Sequence, residues 1–357
     1  MVDNIIYFGN KITSFTFYND FLKDLYNYYK EKGSKIQPIV SLEYTEFIDA
    51  NTLPNLIGFG LMLRNFHKQP IKLLLNYNPK LIYFLYKSRF FTIVGKYSGL
   101  NIFDFDDRFI GGFDLLEKKR HLDEHIVHRY KPSKQYYELD DENEQLEFRK
   151  QIIRILRDEH LPKDFLPVLK FLNRIEEYEM EYFLDVLSEI ISNSILYSLS
   201  ESFATVHANK YKTLISIADI GIGFREAFGK KKNYDYSFSK SLKSELKYSE
   251  ELNDFIFLFE VFHYSKNNDR FNLWRLKETV VNKLGVFRIH FNTTQLVFSK
   301  KCSLCEKSND LIKCAKCFLK NYNSETILSP LRIFNYDYQG VHVEIELYNT
   351  IEKEEYV

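Results

Sequence analysis

A pair of motifs in the second half of this sequence constrains its fold more than any other feature. Glu189 and Asn193 lie four residues apart in an apolar, helix-like segment, and the strand-like run Leu214–Ala218 leads into Asp219-Ile220-Gly221-Ile222-Gly223. Residues four apart on a helix share one face, so the carboxylate of Glu189 and the amide of Asn193 point into the same space. The apolar run predicts a buried strand that delivers Asp219 to the end of a sheet. Together the motifs indicate a nucleotide site.

The order and spacing of these residues resemble the ATP-binding fold shared by gyrase, a heat-shock chaperone, histidine kinases and the MutL mismatch-repair protein, the GHKL or Bergerat fold. The resemblance covers roughly residues 145–347. It implies that Asn193 holds Mg²⁺ against the phosphates of ATP and that Asp219 accepts a hydrogen bond from the adenine amino group. It also implies that Glu189 is the general base that orients a water molecule.

The glycines of this region partly match and partly depart from the family pattern. By the resemblance, Gly221 and Gly223 bring the backbone close to the nucleotide. The family normally has a second glycine-rich box in a lid over the phosphates, because only glycine lets several N–H groups converge on an anion. Here Arg270 and Asn272 stand where those glycines would be. We therefore expect a degenerate lid over residues 230–270, in which the guanidinium of Arg270 contacts the phosphates.

A segment near the C-terminus resembles the closing strand of the same fold. Gly340, within Gln339–Ile345, matches the glycine that lies near the nucleotide in that family. The family's glycine is usually followed by a threonine that helps to bind adenine. Val341 has no hydroxyl group, so this contact is expected to be missing.

The first part of the chain alternates between strand-like and helical patterns. Residues 37–42 and 71–75 are strand-like, and residues 53–66 and 79–88 are helical. Such alternation predicts a parallel or mixed sheet with helices packed on it. We assign residues 1–115 to this domain.

This order of elements resembles the STAS domain of anti-sigma-factor antagonists. Residues 47–51 stand at its strand-to-helix turn, where partner-switching members carry a phosphorylated serine after an aspartate. Here Ala50 follows Asp49, so phosphorylation at this position is excluded.

A charged linker, residues 116–144, is predicted between the two domains. Its histidines, His121, His125 and His128, lie about one helical turn apart, but no cysteine accompanies them, and we interpret them as solvated. The fold class is therefore α/β (α+β): a STAS-like domain, the linker, and a GHKL sandwich over residues 145–357.

All four cysteines of the chain form two C-x-x-C pairs. Eight residues separate the pairs, a spacing typical of a tetrahedral zinc site, because each pair presents two sulfurs from one turn. Four thiolates leave no open coordination position, so such a module either stabilises the local structure or binds a protein partner. Paired reduced thiols are the alternative. We place this zinc insertion at residues 299–320, with the ligands Cys302, Cys305, Cys314 and Cys317.

The amino-acid composition limits the classes of binding partner that we expect. Lys plus Arg equals Asp plus Glu at 49 each, so no global field attracts nucleic acid or an acidic membrane. The longest mainly apolar stretch, Leu53–Leu63, is far shorter than a bilayer span, and a cytoplasmic protein is expected. No phosphate-loop, nucleophile-elbow or metalloprotease motif occurs in the sequence, and His160 lacks the context of a phosphoacceptor histidine.

Three functions are compatible with these features. The first is a nucleotide-operated switch that binds ATP or ADP, hydrolyses ATP slowly or not at all, and regulates a protein partner. The second is a serine/threonine protein kinase of the anti-sigma type. The third is a scaffold with a decayed nucleotide site. We favour the switch, because Glu189, Asn193 and Asp219 are intact while the lid glycines are lost, and a poor lid weakens catalysis more than binding. A second copy of the chain is also a candidate partner.

The cysteine spacing predicts one zinc ion per chain. Substituting Cys305→Ser should release it, because a structural site contributes on the order of 10 kcal/mol only with its full set of ligands. Elemental analysis of protein purified without chelator measures this, with Ser303→Ala as the control that leaves all four thiols in place. Wild-type protein that carries no metal would contradict the prediction.

Overall fold

The computed structural model describes residues 4–109, 126–139, 141–166, 177–208, 211–229, 234–246, 249–267, 273–299, 310–323 and 329–348. The chain divides into two compact units, Met1–Arg129 with Phe203–His207, and Tyr130–Ser202 with Ala208–Val357. Helices and strands occur in both, which confirms the α/β class. The division lies inside the predicted linker, whose described part includes a strand and a short helix.

The chain up to residue 130 contains the following elements. Its strands are β1 Ile5–Tyr7, β2 Lys11–Ile12, β3 Ile39–Ser41, β4 Phe47–Ile48, β5 Ile71–Leu74, β6 Phe103–Asp104 and β7 Val127–Tyr130. Its α-helices are α1 Ser14–Thr16, α2 Leu22–Lys32, α3 Leu53–His67, α4 Pro79–Lys87 and α5 Phe90–Val94, with a π-helical turn at Phe17–Phe21 and 3-10 turns at Ala50–Thr52 and Asp107–Phe109.

The main sheet of the first unit is parallel, in the order β1-β3-β5-β6, and a second parallel pair joins β2 to β4. The strands and helices predicted from residues 37–88 are confirmed at β3, α3, β5 and α4. Residues Leu53–Leu61 of α3 are buried on every side, as the apolar sequence requires. Before α3, the Asp49 side chain caps the 3-10 turn Ala50–Thr52 by accepting from the Asn51 N–H, and Ala50 and Thr52 are buried.

From residue 131 onward the chain forms the remaining elements. The strands are β8 Ser202–Ala208, β9 Lys212–Asp219, β10 Val286–Ser299 and β11 Leu331–Tyr348. The α-helices are α6 Gln135–Glu138, α7 Glu142–Ile155, α8 Leu161–Asp164, α9 Glu177–Tyr197, α10 Gly223–Gly229, α11 Ser237–Glu245, α12 Asn253–Asn267, α13 Leu273–Asn282 and α14 Leu311–Lys320, with a π-helical turn at Leu156–His160 and a 3-10 turn at Glu250–Leu252.

Three long strands form the antiparallel core of the second unit, with β11 between β10 and β9. The register sets Val341 opposite Asp219. Helix α12 packs on this sheet through its aromatic side chains. The ring centroid of Phe262 lies 5.2 Å from that of Phe298 in β10, and the centroid of Phe298 lies 4.9 Å from that of Phe318 in α14. Within the described residues, no helix is long and apolar enough to cross a membrane.

Gly340 lets β11 pass close to the end of β9. Its φ angle is +102°, and a Cβ atom built on it would lie 1.9 Å from the backbone oxygen of Asp219. A side chain at this position is therefore excluded both by conformation and by space. The glycine is what permits the register that brings Val341 to Asp219.

We expect Gly340→Ala to lower the free energy of unfolding by about 2 to 5 kcal/mol, the combined cost of left-handed backbone and a backbone clash. Gly229→Ala is the matched control, because a Cβ there meets no atom within 4 Å. Urea unfolding of both variants measures the difference. Equal stability of the two variants would contradict this account of β11.

Candidate functional site

A cavity of about 240 Å³ lies in the second unit between α9, α10, α13 and the sheet. Five residues singled out from the sequence line it: Glu189, Asn193, Asp219, Gly223 and Val341. The structure therefore brings together side chains that come from a helix, a strand end, a turn and the closing strand. This convergence makes the cavity the candidate site.

The helix motif reaches the cavity from one face of α9. Asn193 presents its side-chain amide, and in the described part of the chain its Oδ1 atom is buried and accepts no hydrogen bond. Such a group costs about 1 to 3 kcal/mol, so an unpartnered amide oxygen aimed into a cavity indicates a ligand. Amide oxygens are suitable ligands for Mg²⁺, so Asn193 fits the role expected from the sequence.

Asp219 lies at the end of β9 and is 5% exposed. Its Oδ1 accepts from the Gly221 N–H at 3.1 Å, and the backbone N–H of Val341 also donates to the carboxylate. Burial nevertheless raises the pKa of Asp219 to about 7, because desolvation outweighs these two hydrogen bonds. A ligand that donates a further hydrogen bond would favour the ionised form.

The turn after Asp219 is held by close backbone contacts. A Cβ atom at Gly221 would lie 1.9 Å from the Ser198 carbonyl oxygen, which accepts from the Ile222 N–H at 2.8 Å. The side chain of Gln339 donates to the Gly221 carbonyl at 3.0 Å. Gly221 and Gly340 are not among the residues that line the cavity; they shape the backbone around Asp219.

Glu189 forms an ion pair with Arg149 of α7. The guanidinium donates through Nη2 to Oε2 of the carboxylate at 2.5 Å, and the side chains are 6% and 21% exposed for Arg149 and Glu189. In this arrangement Oε2 of Glu189 is engaged by a buried cation. The role of general base that the sequence suggested for Glu189 stays a prediction.

Sequence reasoning missed three residues of this site. Tyr197 lines the cavity at the same four-residue spacing as Glu189 and Asn193, so continuing the helix face would have found it. Arg275 of α13 lines the cavity just after the predicted lid, whereas Arg270, which was expected there, lies outside the described residues. Arg149 had no signal in the sequence beyond a helical pattern.

The predicted lid includes residues that belong to the core. Residues 254–262, inside the expected range of 230–270, are buried in α12, whose aromatic side chains pack on β10 and α14. A helix with this packing belongs to the core, and its sequence was apolar enough to have indicated this. Asn272 also lies outside the described residues.

The described half of the cysteine module is a regular helix. Cys314 and Cys317 lie one turn apart on α14 and are buried, and Asn321 Nδ2 contacts Cys317 Sγ at 3.4 Å. Cys302, Cys305, His121 and His125 lie outside the described residues. Among the residues that are described, no group of three or more His, Cys, Asp or Glu side chains could hold a metal.

Comparison with known proteins found no matching family model, no matching curated protein and no matching solved structure.

The raised pKa of Asp219 predicts a pH-dependent stability. Because the folded pKa of about 7 exceeds the ordinary 3.8, stability is fully present below pH 3.8 and is lost as the pH rises through about 7. The change is on the order of 4 kcal/mol. Asp219→Asn, which cannot ionise, should gain stability over wild type between pH 4 and pH 8. Urea unfolding across this range tests it, and a pH-independent difference between the two proteins would contradict it.

Proposed function

We propose that the second unit binds ATP with Mg²⁺ in this cavity and acts as a nucleotide-operated switch with slow or no hydrolysis. The observation that carries the proposal is the meeting of Asn193 and Asp219 in one cavity: an unpartnered buried amide oxygen faces the same space as a buried carboxyl. Each group is costly without a ligand, and each suits a different part of Mg-ATP.

The base of the nucleotide belongs at the sheet. Asp219 accepts the hydrogen bond from the adenine amino group, and apolar side chains of Ile217 and Val343 line the same cavity. A buried carboxylate discriminates strongly, because a base without a donor leaves it charged and unsatisfied. ATP binding is therefore expected to strengthen as the pH rises through about 7, where Asp219 ionises.

The phosphates belong near α9, where Asn193 supplies an oxygen ligand to Mg²⁺. Bound Mg²⁺ would neutralise phosphate charge there. Fast hydrolysis is not part of the proposal, because Arg270 and Asn272 stand where the lid glycines of the resembled family would be. Phosphoryl transfer depends on positioned groups, so a lid without these glycines weakens turnover more than binding.

The rest of the chain fits a switch. We propose that the second unit is a GHKL domain, that the first is a STAS-like docking domain for a protein partner, and that the cysteine module binds Zn²⁺. The order of the motif-bearing helix, the strand ending in Asp219 and the antiparallel closing strand supports the first assignment. The parallel sheet of the first unit supports the second. A switch driven by ATP draws on the nucleotide pool of the cytoplasm, and we place it there.

Mg-ATP should raise the melting temperature of the full-length protein, and Asp219→Asn should weaken ATP binding about 10- to 100-fold. A hydrogen bond to a charged group contributes roughly 1.5 to 3 kcal/mol, which gives this range. Calorimetric titration with non-hydrolysable ATP at pH 8 measures the affinity.

Asp310→Asn is the control for that titration. Asp310 caps α14 far along the chain from the cavity residues, and asparagine caps a helix equally well. Its ATP affinity should equal that of wild type. An Asp219→Asn protein that binds ATP as tightly as the control would remove the adenine contact from the proposal.

A further inference from the structure

A second cavity, of about 690 Å³, adjoins the first. The two share a wall formed by Ile153, Asp185 and Glu189. Four of the residues that line it are basic: Arg149, Lys150, Arg154 and Arg157.

The basic residues reach this cleft because of their spacing along one helix. Intervals of four residues separate Arg149, Ile153 and Arg157 along α7 and the π-helical turn that follows it. The same interval separates Lys150 from Arg154. Residues at this spacing share a face. Four cations therefore face one cleft, against three acidic residues that line it, Asp158, Asp185 and Glu189.

Arg149 is the most deeply placed of these cations. Its side chain is 6% exposed, and its Nε atom is buried and donates no hydrogen bond within the described part of the chain. Its guanidinium donates through Nη2 to the carboxylate of Glu189. A planar guanidinium with an unused buried donor is suited to bidentate binding of a phosphate.

The other cations of the cleft are accessible to an anionic ligand. Arg154 is exposed and makes no ion pair among the described residues. Arg157 pairs with Asp185 at 2.6 Å and Lys150 pairs with Glu147 at 2.7 Å, but all four side chains are more than 40% exposed. Exposed pairs of this kind contribute little, so a polyanion can replace the carboxylates.

We propose that this cleft binds the phosphate chain of the nucleotide whose base occupies the adjacent cavity. The inference rests on the proposed ATP binding and adds the residues that hold the phosphates. Arg149 exchanges Glu189 for a phosphate oxygen, and Arg154 with Lys150 contacts the outer phosphates. Helix α7 thus takes the role that glycine-rich backbone would have in a lid, and Glu189 is the resting counter-ion of Arg149.

The test measures how affinity depends on the number of phosphates. Adenosine, AMP, ADP, ATP and inorganic tripolyphosphate are titrated calorimetrically into full-length wild type, Arg154→Gln, and the double variant Arg149→Gln/Glu189→Gln. The double variant replaces the ion pair with neutral amides and so avoids a buried unpaired charge. Lys320→Gln, an exposed charge on α14, is the control.

We expect wild-type affinity to rise with each phosphate. Arg154→Gln should weaken ATP binding about tenfold and the double variant about 100-fold, consistent with one and two lost charge-assisted hydrogen bonds. Adenosine affinity should stay within about twofold in both variants, which also shows that the base site is folded, and Lys320→Gln should match wild type throughout.

The remaining outcomes separate this inference from the proposed function. If ATP binds equally well to wild type and both variants, the phosphate role of the cleft is overturned while the nucleotide site stands. If adenosine and ATP fail to bind but tripolyphosphate binds and is lost in the variants, the nucleotide proposal falls and the cleft is an anion site for another ligand. If no probe binds, both are overturned.

Discussion

The pairing of β9 with β11 is the constraint on which the candidate site depends. It requires Gly340, whose missing side chain lets β11 pass against the backbone oxygen of Asp219. The same register brings the Val341 N–H to the Asp219 carboxylate. Because β9 is buried from Thr213 to Asp219 and most of the β11 segment paired with it is buried, a slip of one residue would move each buried side chain to the opposite face of the sheet. The position of one carboxyl group is therefore fixed by the whole sheet.

The groups around the cavity are poorly satisfied, and this has a consequence for function. Asp219 is desolvated enough to hold a proton near neutral pH, Asn193 has an unused oxygen, and Arg149 has an unused donor. Each imperfection lowers the stability of the ligand-free protein by an amount on the order of 1 kcal/mol or more. A ligand that satisfies all of them recovers that free energy on binding, which is how a binding event shifts a conformational equilibrium.

The ion pair of Arg149 with Glu189 links α7 to the motif-bearing helix α9. In the switch proposed above, a phosphate takes the place of the Glu189 carboxylate on Arg149. The bound phosphate and Glu189 then compete for one guanidinium, and this competition is the proposed coupling of the nucleotide to α7 and α9. In such a switch the ion pair favours the resting state, and occupancy by the nucleotide favours the other.

The sequence by itself determined most of the local structure. The apolar run before Asp219 predicted β9, the spacing of Glu189 and Asn193 predicted a helix face, and alternation over residues 37–88 predicted a parallel or mixed sheet, because these patterns arise from the short-range geometry of helices and strands. Only the tertiary structure decided that Arg149 neutralises Glu189, that α12 belongs to the core instead of a lid, and that Tyr197 and Arg275 line the cavity. Those facts depend on which elements pack together over long separations in the chain. No periodicity encodes that choice, since it is set by burial and charge pairing across the whole unit.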